Sequence, residues 1–336
     1  MPEDRYARQV RFAPLGQEGQ RQLSDSSTVV IGCGALGTVA AELLARAGAG
    51  RLTVIDRDYV EFSNLQRQFL FEERDAVDAL PKAVAAERRL RRINSAIQVR
   101  GVVDDLRSRN AAELLRGANV IVDATDNFEA RFLINDYAVS AGVPWVYGAA
   151  VGSYGITMPV LPGATACFRC LYPERPSGAQ PTCETAGVLG PVTAIVASLQ
   201  AGAAIQILSG NRAAVRRKIT TVDVWHGPLR ETEMPGRDPD CPCCSARNFE
   251  WLTGQHDAPV SLCGRNAVQI HANGKVNLVE LAARLSIEGK VRWNEFALRF
   301  LREPYEMTVF PDGRAIIKGT TDVGVARSLY ARWIGA

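Results

Sequence analysis

Ser27-Thr28-Val29-Val30-Ile31 followed by Gly32-Cys33-Gly34-Ala35-Leu36-Gly37 is the stretch that decides the fold. The first five residues are apolar or β-branched and read as a short buried strand. The glycines then let backbone N–H groups at a helix start come close to phosphate oxygens. Thr38 to Ala47 is rich in alanine and leucine and reads as a helix that stops at Gly48 and Gly50. Arg51 to Asp56 (Arg-Leu-Thr-Val-Ile-Asp) is the next strand. This is one strand–loop–helix–strand unit of a parallel sheet. The loop suits a nucleotide but does not separate NAD from ATP.

Outward from this unit the alternation continues. Residues 1–26 look like an amphipathic helix with Arg5, Arg8 and Arg11 spaced to share a face. Lys82–Ile93 reads as a helix, Ile97–Val103 as a strand and Ala111–Leu115 as a helix. Asn119–Ala124 is a buried strand ending at Thr125-Asp126-Asn127, followed by a helix over Glu129–Ala141 and a strand over Pro144–Gly148. From Ile156 the pattern turns antiparallel, with Thr220–Trp225 and Leu229–Met234 as later strands. Residues 245–258 are mixed and polar, which predicts a linker. Beyond it come strands over Val260–Ile270, Phe296–Leu301, Glu306–Phe310 and Arg314–Ile317, a Pro311-Asp312-Gly313 turn, and helices over Leu278–Leu285 and Asp322–Trp333. The expected fold class is α/β: a Rossmann-like, mainly parallel sheet continuing into an antiparallel portion, with a zinc knuckle pair and a small α+β C-terminal domain. The expected domains are 1–245 and 259–336.

The bulk numbers fit a globular protein of 336 residues with 47% hydrophobic and 22% charged residues. A formal net charge of +3 gives no reason to expect nucleic acid or an anionic membrane as partner. The run Arg88-Arg89-Leu90-Arg91-Arg92 reads as a solvated helix face. The start of the chain, Pro2-Glu3-Asp4-Arg5-Tyr6, is charged and polar, so no signal peptide and a cytoplasmic location are expected. Ala186 to Gly210 is long enough to span a membrane, but its glycines, Pro191, Gln200 and Gln206 favour a buried core helix.

The residues that follow the loop say more than the loop does. Asp56 stands 24 residues after Gly32, at a strand end, where an acid suits a ribose hydroxyl. Close behind come Asp58, Asn64, Gln66, Arg67, Gln68 and Lys82. Arg grips phosphate with a planar fork and Lys acts as a mobile point charge, so together they suit a polyphosphate. Asp126 ends a buried strand at the same sheet edge, where it suits Mg²⁺ or, alternatively, caps the helix that follows.

The chain has eight cysteines. Two C-x-x-C pairs, Cys167/Cys170 and Cys241/Cys244, have the spacing of zinc knuckles, with a redox dithiol as the alternative. Cys243 is a spare thiol beside the second pair, able to compete as a ligand. Cys183 lies in a polar loop before the apolar helix and reads either as a reactive thiol or as an incidental one. Cys33 reads as a small filler and Cys263 as a buried strand residue. Three histidines without ligand spacing give little support to a His metal site or a catalytic triad.

Taken together, these motifs resemble the ThiF/MoeB/HesA family, bacterial relatives of ubiquitin-activating enzymes. The resemblance rests on Arg5-Tyr6-Ala7-Arg8-Gln9, Gly32 to Gly37, Asp56-Arg57-Asp58, Ser63 to Gln68, Pro81-Lys82, Thr125-Asp126-Asn127, both cysteine pairs and Thr182-Cys183-Glu184. It covers about residues 1–245. It implies adenylation of the C-terminal glycine of a ubiquitin-like sulfur-carrier protein ending in Gly-Gly, with MgATP consumed and pyrophosphate released. Gly32, Gly34, Ala35, Gly37, Asp56, Asp58, Asn64, Arg67, Gln68, Lys82 and Asp126 would then bind the nucleotide and its Mg²⁺, while Zn²⁺ sits in the knuckles. Arg8 would reach the γ-phosphate in the other subunit of a homodimer. Cys183 matches the position at which some members bond covalently to the carrier. A sulfurtransferase is a candidate further partner. The tail, with Leu262-Cys263-Gly264-Arg265 and Phe310 to Arg314, resembles that of ThiF-like members with a C-terminal extension. The competing readings are an NAD-dependent oxidoreductase and a scaffold that binds nucleotide without catalysis.

Overall fold

A computed structural model describes residues 5–176, 182–183, 185–256, 261–262, 266–270 and 274–335. Glu184, Cys263, Gly264, Arg265 and His271 lie outside these residues. The chain forms two compact units, Met1–His256 and Asp257–Ala336.

In the first unit, α1 (Ala7–Val10) and α2 (Gly16–Asp25) lead into β1 (Ser27–Ile31), α3 (Ala35–Ala47) and β2 (Arg51–Ile55). Then come α4 (Glu73–Val77), α5 (Lys82–Ile93), β3 (Gln98–Val102), α6 (Ser108–Leu114), β4 (Val120–Asp123), α7 (Phe128–Ala141) and β5 (Trp145–Val151). After them β6 (Tyr154–Val160), α8 (Phe168–Leu171), α9 (Gly190–Leu208), β7 (Lys218–Asp223) and β8 (Arg230–Glu233) complete the unit. Its eight strands form one sheet in the order β3-β2-β1-β4-β5-β6-β7-β8. The first five pair in parallel, with Val29 opposite Thr53 and Ile121. From β5 onward the pairing is antiparallel.

The central strands are apolar on both sides because helices cover both faces. Val30, Val54 and Val122 point to one core with Leu36, Ala40 and Leu44 of α3 and Val196, Ala197 and Ala201 of α9. Val29, Ile31, Ile55 and Ile121 point to the other, with Phe132 and Ile134 of α7 and Phe168. The period-two alternation of the sequence thus becomes two separate cores. Helix α9 is long and apolar enough to cross a membrane, yet half of that length is buried in the unit.

Several boundaries differ from the sequence reading for identifiable reasons. The N-terminal region is two helices instead of one, because Pro14 lacks an N–H and biases Ala13 away from helix. Helix α3 starts at Ala35, not Thr38, since Gly34 already occupies its N-cap position. Residues 245–256, expected as a linker, fold against α7. Trp251 stacks on Phe132 with ring centroids 5.0 Å apart, and its backbone N–H donates to Asp136 Oδ2 at 2.9 Å.

The second unit is a six-stranded antiparallel sheet in the order β11-β12-β13-β14-β10-β9. The strands are β9 (Ser261–Leu262), β10 (Ala267–Ile270), β11 (Lys290–Trp293), β12 (Leu298–Arg302), β13 (Tyr305–Val309) and β14 (Ala315–Lys318). The core joins Phe300, Met307, Val309 and Ile317 to Leu281 and Leu285 of α10 (Leu278–Leu285) and Tyr330 and Trp333 of α11 (Val323–Trp333). Strand β11 escapes sequence reading because Lys290, Arg292 and Trp293 leave one partly buried apolar residue, Val291, on an edge strand.

Candidate functional site

The site forms where the parallel strands end. The turn after β1 carries the glycines, and two of them are demanded by the fold. Gly32 has φ +89°, and a Cβ there would stand 2.5 Å from the Ala124 carbonyl oxygen. A Cβ on Gly37 would stand 1.8 Å from the carbonyl oxygen of Gly32. Gly34 is different: the nearest atom to a Cβ there would be Gln68 Nε2, at 4.0 Å. Its missing side chain is not required by the protein's own packing. It leaves the space that a closely approaching ligand needs.

Asp56 follows β2 and sits under this loop. Its Oδ2 accepts from the Cys33 N–H at 2.6 Å and its Oδ1 from the Asp58 N–H at 2.7 Å. Burial is the main influence and raises the Asp56 carboxyl above the ordinary aspartate range, against the pull of Lys82. Lys82 is the first residue of α5 and only 6% exposed. Its Nζ lies 3.4 Å from Asp58 Oδ2, and Arg57 Nε lies 3.8 Å from Asp58 Oδ1. Asp58 is therefore engaged by the two cations, while Arg57 also bonds Asp105 at 2.8 Å and Arg107 bonds Asp105 at 3.1 Å. Sequence reading missed Asp105 and Arg107, which carry no motif of their own.

Between these groups runs the segment 61–68. Asn64 is buried, and its Oδ1 accepts from the Glu61 N–H at 3.0 Å. Arg67 is half-buried, with Nη1 donating to the Ser63 carbonyl at 2.9 Å. Gln68 is buried, and its Oε1 has no hydrogen-bond partner. Gly190 at the start of α9 lies against this segment, since a Cβ there would stand 3.2 Å from the Gln66 carbonyl oxygen.

The turn after β4 closes the site. Asn127, not Asp126, caps α7: its side chain accepts from the Ala130 N–H at 2.9 Å. Asp126 is exposed and does not serve as the cap. Beneath it Asp123 is fully buried, and burial pushes its carboxyl up to about 6 despite Arg131 and two hydrogen bonds from Thr125. Cys183 is partly buried, with Sγ donating to the Ala150 carbonyl at 3.4 Å. Burial first, and the nearby Asp126 charge second, push this thiol above its usual value, while Arg67 and Arg131 pull the other way. Cys183 thus shares the edge with Asp126 and Arg67.

Arg8 is not brought to this edge. Gln9 Nε2 donates to the Ala47 carbonyl at 2.9 Å, and Asn94 Nδ2 donates to the Tyr6 hydroxyl at 2.8 Å. Helix α1 therefore lies at the far end of α3, roughly 18 Å from the glycine loop at 1.5 Å per residue.

The four paired cysteines do converge, in a different place. Cys167 Sγ is 3.6 Å from Cys241 Sγ and 3.8 Å from Cys170 Sγ, and Cys170 Sγ is 3.5 Å from Cys244 Sγ. A tetrahedron with Zn–S bonds of about 2.3 Å has edges of about 3.8 Å, so four thiolates placed like this fit Zn²⁺. Cys243 is not one of these four: its Sγ accepts from Asn135 Nδ2 at 3.2 Å and also interacts with Cys167 and Asp136. The end of β6 pairs with the start of β5, and the end of β8 with the start of β7. Both segments thus leave the sheet at the edge opposite the glycine loop.

A doubly wound sheet with a glycine turn, with Lys82 beside Asp56 and with Arg67 and Asp126 near Cys183, has the architecture of nucleotide-binding α/β proteins. The ThiF family model matches residues 6–243, and the chain belongs to that family. It is 44% identical over 336 residues to the sulfur carrier protein ThiS adenylyltransferase of Bacillus subtilis, covering 98% of this chain and 99% of that one. It is 40% identical over 247 residues to the sulfur carrier protein adenylyltransferase of Thermus thermophilus, covering 72% and 90%. Among solved structures, E. coli MccB with succinimide is similar at 25% identity and TM-score 0.62, over 72% of this chain and 74% of that one. The resemblance that the motifs carried is therefore met across nearly the whole chain, tail included.

Proposed function

We propose that this chain adenylates the C-terminal carboxylate of a ubiquitin-like sulfur-carrier protein, consuming MgATP and releasing pyrophosphate. The observation that carries the reading is that Lys82 stands beside Asp56 under the glycine turn, where Gly34 leaves room for a ligand, while Arg67 and Asp126 both stand near Cys183. The likeness to the Bacillus ThiS adenylyltransferase supplies the class of substrate.

In this reading Gly34, Ala35 and the neighbouring N–H groups take the phosphates, and Asp56 keeps lone pairs for the ribose hydroxyls. Gln68 and Asn64 line the nucleotide. The carrier carboxylate attacks the α-phosphorus and negative charge grows on the leaving pyrophosphate. Arg67 and Lys82 are fixed before the reaction starts, so they stabilise that charge without rearranging. Asp126 would hold Mg²⁺, which supplies further charge neutralisation when bound. Arg8, at the wrong end of its own subunit, serves the site of a second copy, so the active species is a homodimer. Zn²⁺ in the four-cysteine cluster is structural. The reaction is cytoplasmic and involves neither membrane nor nucleic acid. The chain spans 53% of a pig relative named adenylyltransferase and sulfurtransferase MOCS3. A separate sulfurtransferase would act after the adenylate forms.

The test is ATP–pyrophosphate exchange with candidate carriers ending in Gly-Gly. Exchange that depends on the terminal glycine is expected; tight NAD binding with no exchange for any such carrier would reject the reading. Cys183 has a separate expectation. Burial raises its thiol above the usual value, and no protein nucleophile is needed for adenylation. Cys183→Ser should therefore retain carrier-dependent exchange within about twofold of the unsubstituted protein, since a serine hydroxyl can donate to the same Ala150 carbonyl. Loss of exchange in that variant would show that the side chain belongs to the adenylation step itself.

A further inference from the structure

We infer that Asp123 and Arg131 form a buried positioning pair that fixes the turn Thr125-Asp126-Asn127 and thereby sets where Asp126 stands. The inference rests on the proposed role of Asp126 toward the metal-bound nucleotide.

Strand β4 needs only apolar residues to fill the sheet, and Val120, Ile121 and Val122 do so. Asp123 breaks that pattern while being fully buried. Taking a carboxylate out of water is costly, so such a group is kept where it organises something. What it organises is one residue. Asp123 Oδ1 accepts from the Thr125 N–H at 2.9 Å and from the Thr125 hydroxyl at 2.7 Å. Arg131 Nη2 donates to the Thr125 carbonyl at 2.8 Å, and Arg131 Nε faces Asp123 Oδ2 at 3.6 Å. The pair thus grips Thr125 by its amide, its hydroxyl and its carbonyl.

The grip is itself held rigid. The Arg131 guanidinium lies 5.3 Å from the Phe128 ring centroid and 5.2 Å from that of Tyr147. From α9, Gln200 Nε2 donates to the Asp123 carbonyl at 2.6 Å and to the Val146 carbonyl at 3.1 Å, tying the end of β4 to β5. On the far side Asn127 is fixed as the cap of α7. Asp126 therefore sits between two anchored neighbours, and Asn127 Nδ2 also donates to its Oδ1 at 3.4 Å. A carboxylate displaced by about 1 Å can cost on the order of 100-fold in rate.

The experiment compares Thr125→Val, Asp123→Asn and Asp126→Asn with the unsubstituted protein. Thr125→Val removes the hydroxyl grip and leaves the buried pair intact, so it keeps the test usable if Asp123→Asn fails to fold. Two quantities are read: amide hydrogen exchange at Thr125, Asp126 and Asn127, and the Mg²⁺ concentration giving half-maximal ATP–pyrophosphate exchange. Both gripping variants should speed amide exchange at the turn but not in β1. Each should also raise the Mg²⁺ requirement about tenfold, consistent with a misplaced ligand, while the KM for the carrier stays constant. If Asp126→Asn is impaired and the two gripping variants keep a normal Mg²⁺ requirement, the positioning inference is overturned and the function stands. If Asp126→Asn itself behaves normally, the role of Asp126 is wrong and the inference falls with it.

Discussion

Lys82→Ala should lower carrier-dependent ATP–pyrophosphate exchange by about 100- to 1,000-fold, the size expected when one preorganised charge is removed from a reacting centre. The argument is geometric. Lys82 is almost fully buried, opens α5 and is held 3.4 Å from Asp58, so its charge is in place before any ligand arrives. Folding should survive the change. Asp58 keeps Arg57 nearby, and the Lys82 backbone N–H still donates to the Asp58 carbonyl at 2.8 Å. Breaking a fully buried pair costs about 3–5 kcal/mol, and this one retains a second cation, so a smaller loss is expected. Arg67→Ala should produce a similar loss of exchange at less cost in stability, since its side-chain hydrogen bond to the Ser63 carbonyl is worth about 1 kcal/mol. The checks are exchange rates alongside thermal unfolding. Wild-type turnover in either variant would remove these residues from the phosphate site, whereas unfolding would show that the pair is chiefly structural.

The positions of these two residues were legible in the sequence because they are set locally. Lys82 opens a helix whose limits, Lys82–Ile93, the sequence defines without ambiguity, and Arg67 lies in a dense polar segment after a ribose-type acid. The central strands were legible for a similar reason: burial on both faces makes them continuous apolar runs. The groups that hold the site in shape were not. Asp123 looks like the end of a strand and Arg131 like a charge on a helix, and only the fold brings them within ion-pair distance. The same is true of Asp105, which joins Arg57 to Arg107 across a gap of 48 residues from Arg57. Asp126 read as a Mg²⁺ ligand or as the cap of the following helix, and the side-chain geometry gives the cap to Asn127, one residue on. Residues 245–256 look polar and unstructured until Phe132 is seen to receive Trp251.

The cysteine cluster lies away from the glycine loop, and its removal is expected to affect stability more than catalysis. Cys167 and Cys241 are 74 residues apart in sequence, yet their sulfurs are 3.6 Å apart. Metal bound there would close a long loop and anchor a segment, 241–256, that contains no helix or strand of its own. That segment is otherwise held by the Trp251 stack, the Asp136 hydrogen bond and the Arg169–Glu250 pair at 3.1 Å. Cys241→Ser should therefore bind less than the about one Zn²⁺ per chain expected of a four-thiolate site. It should become sensitive to proteolysis between Arg237 and His256, and unfold at a temperature lower by about 3 °C for each kcal/mol lost. Because the cluster leaves the sheet at the edge opposite Gly34, exchange measured well below the unfolding temperature should fall far less than in Lys82→Ala. A metal-free chain with unchanged unfolding would reject the zinc assignment. A stable, folded Cys241→Ser that has lost exchange would instead place the thiolates in the chemistry, and the sheet's two edges would no longer divide the work between them.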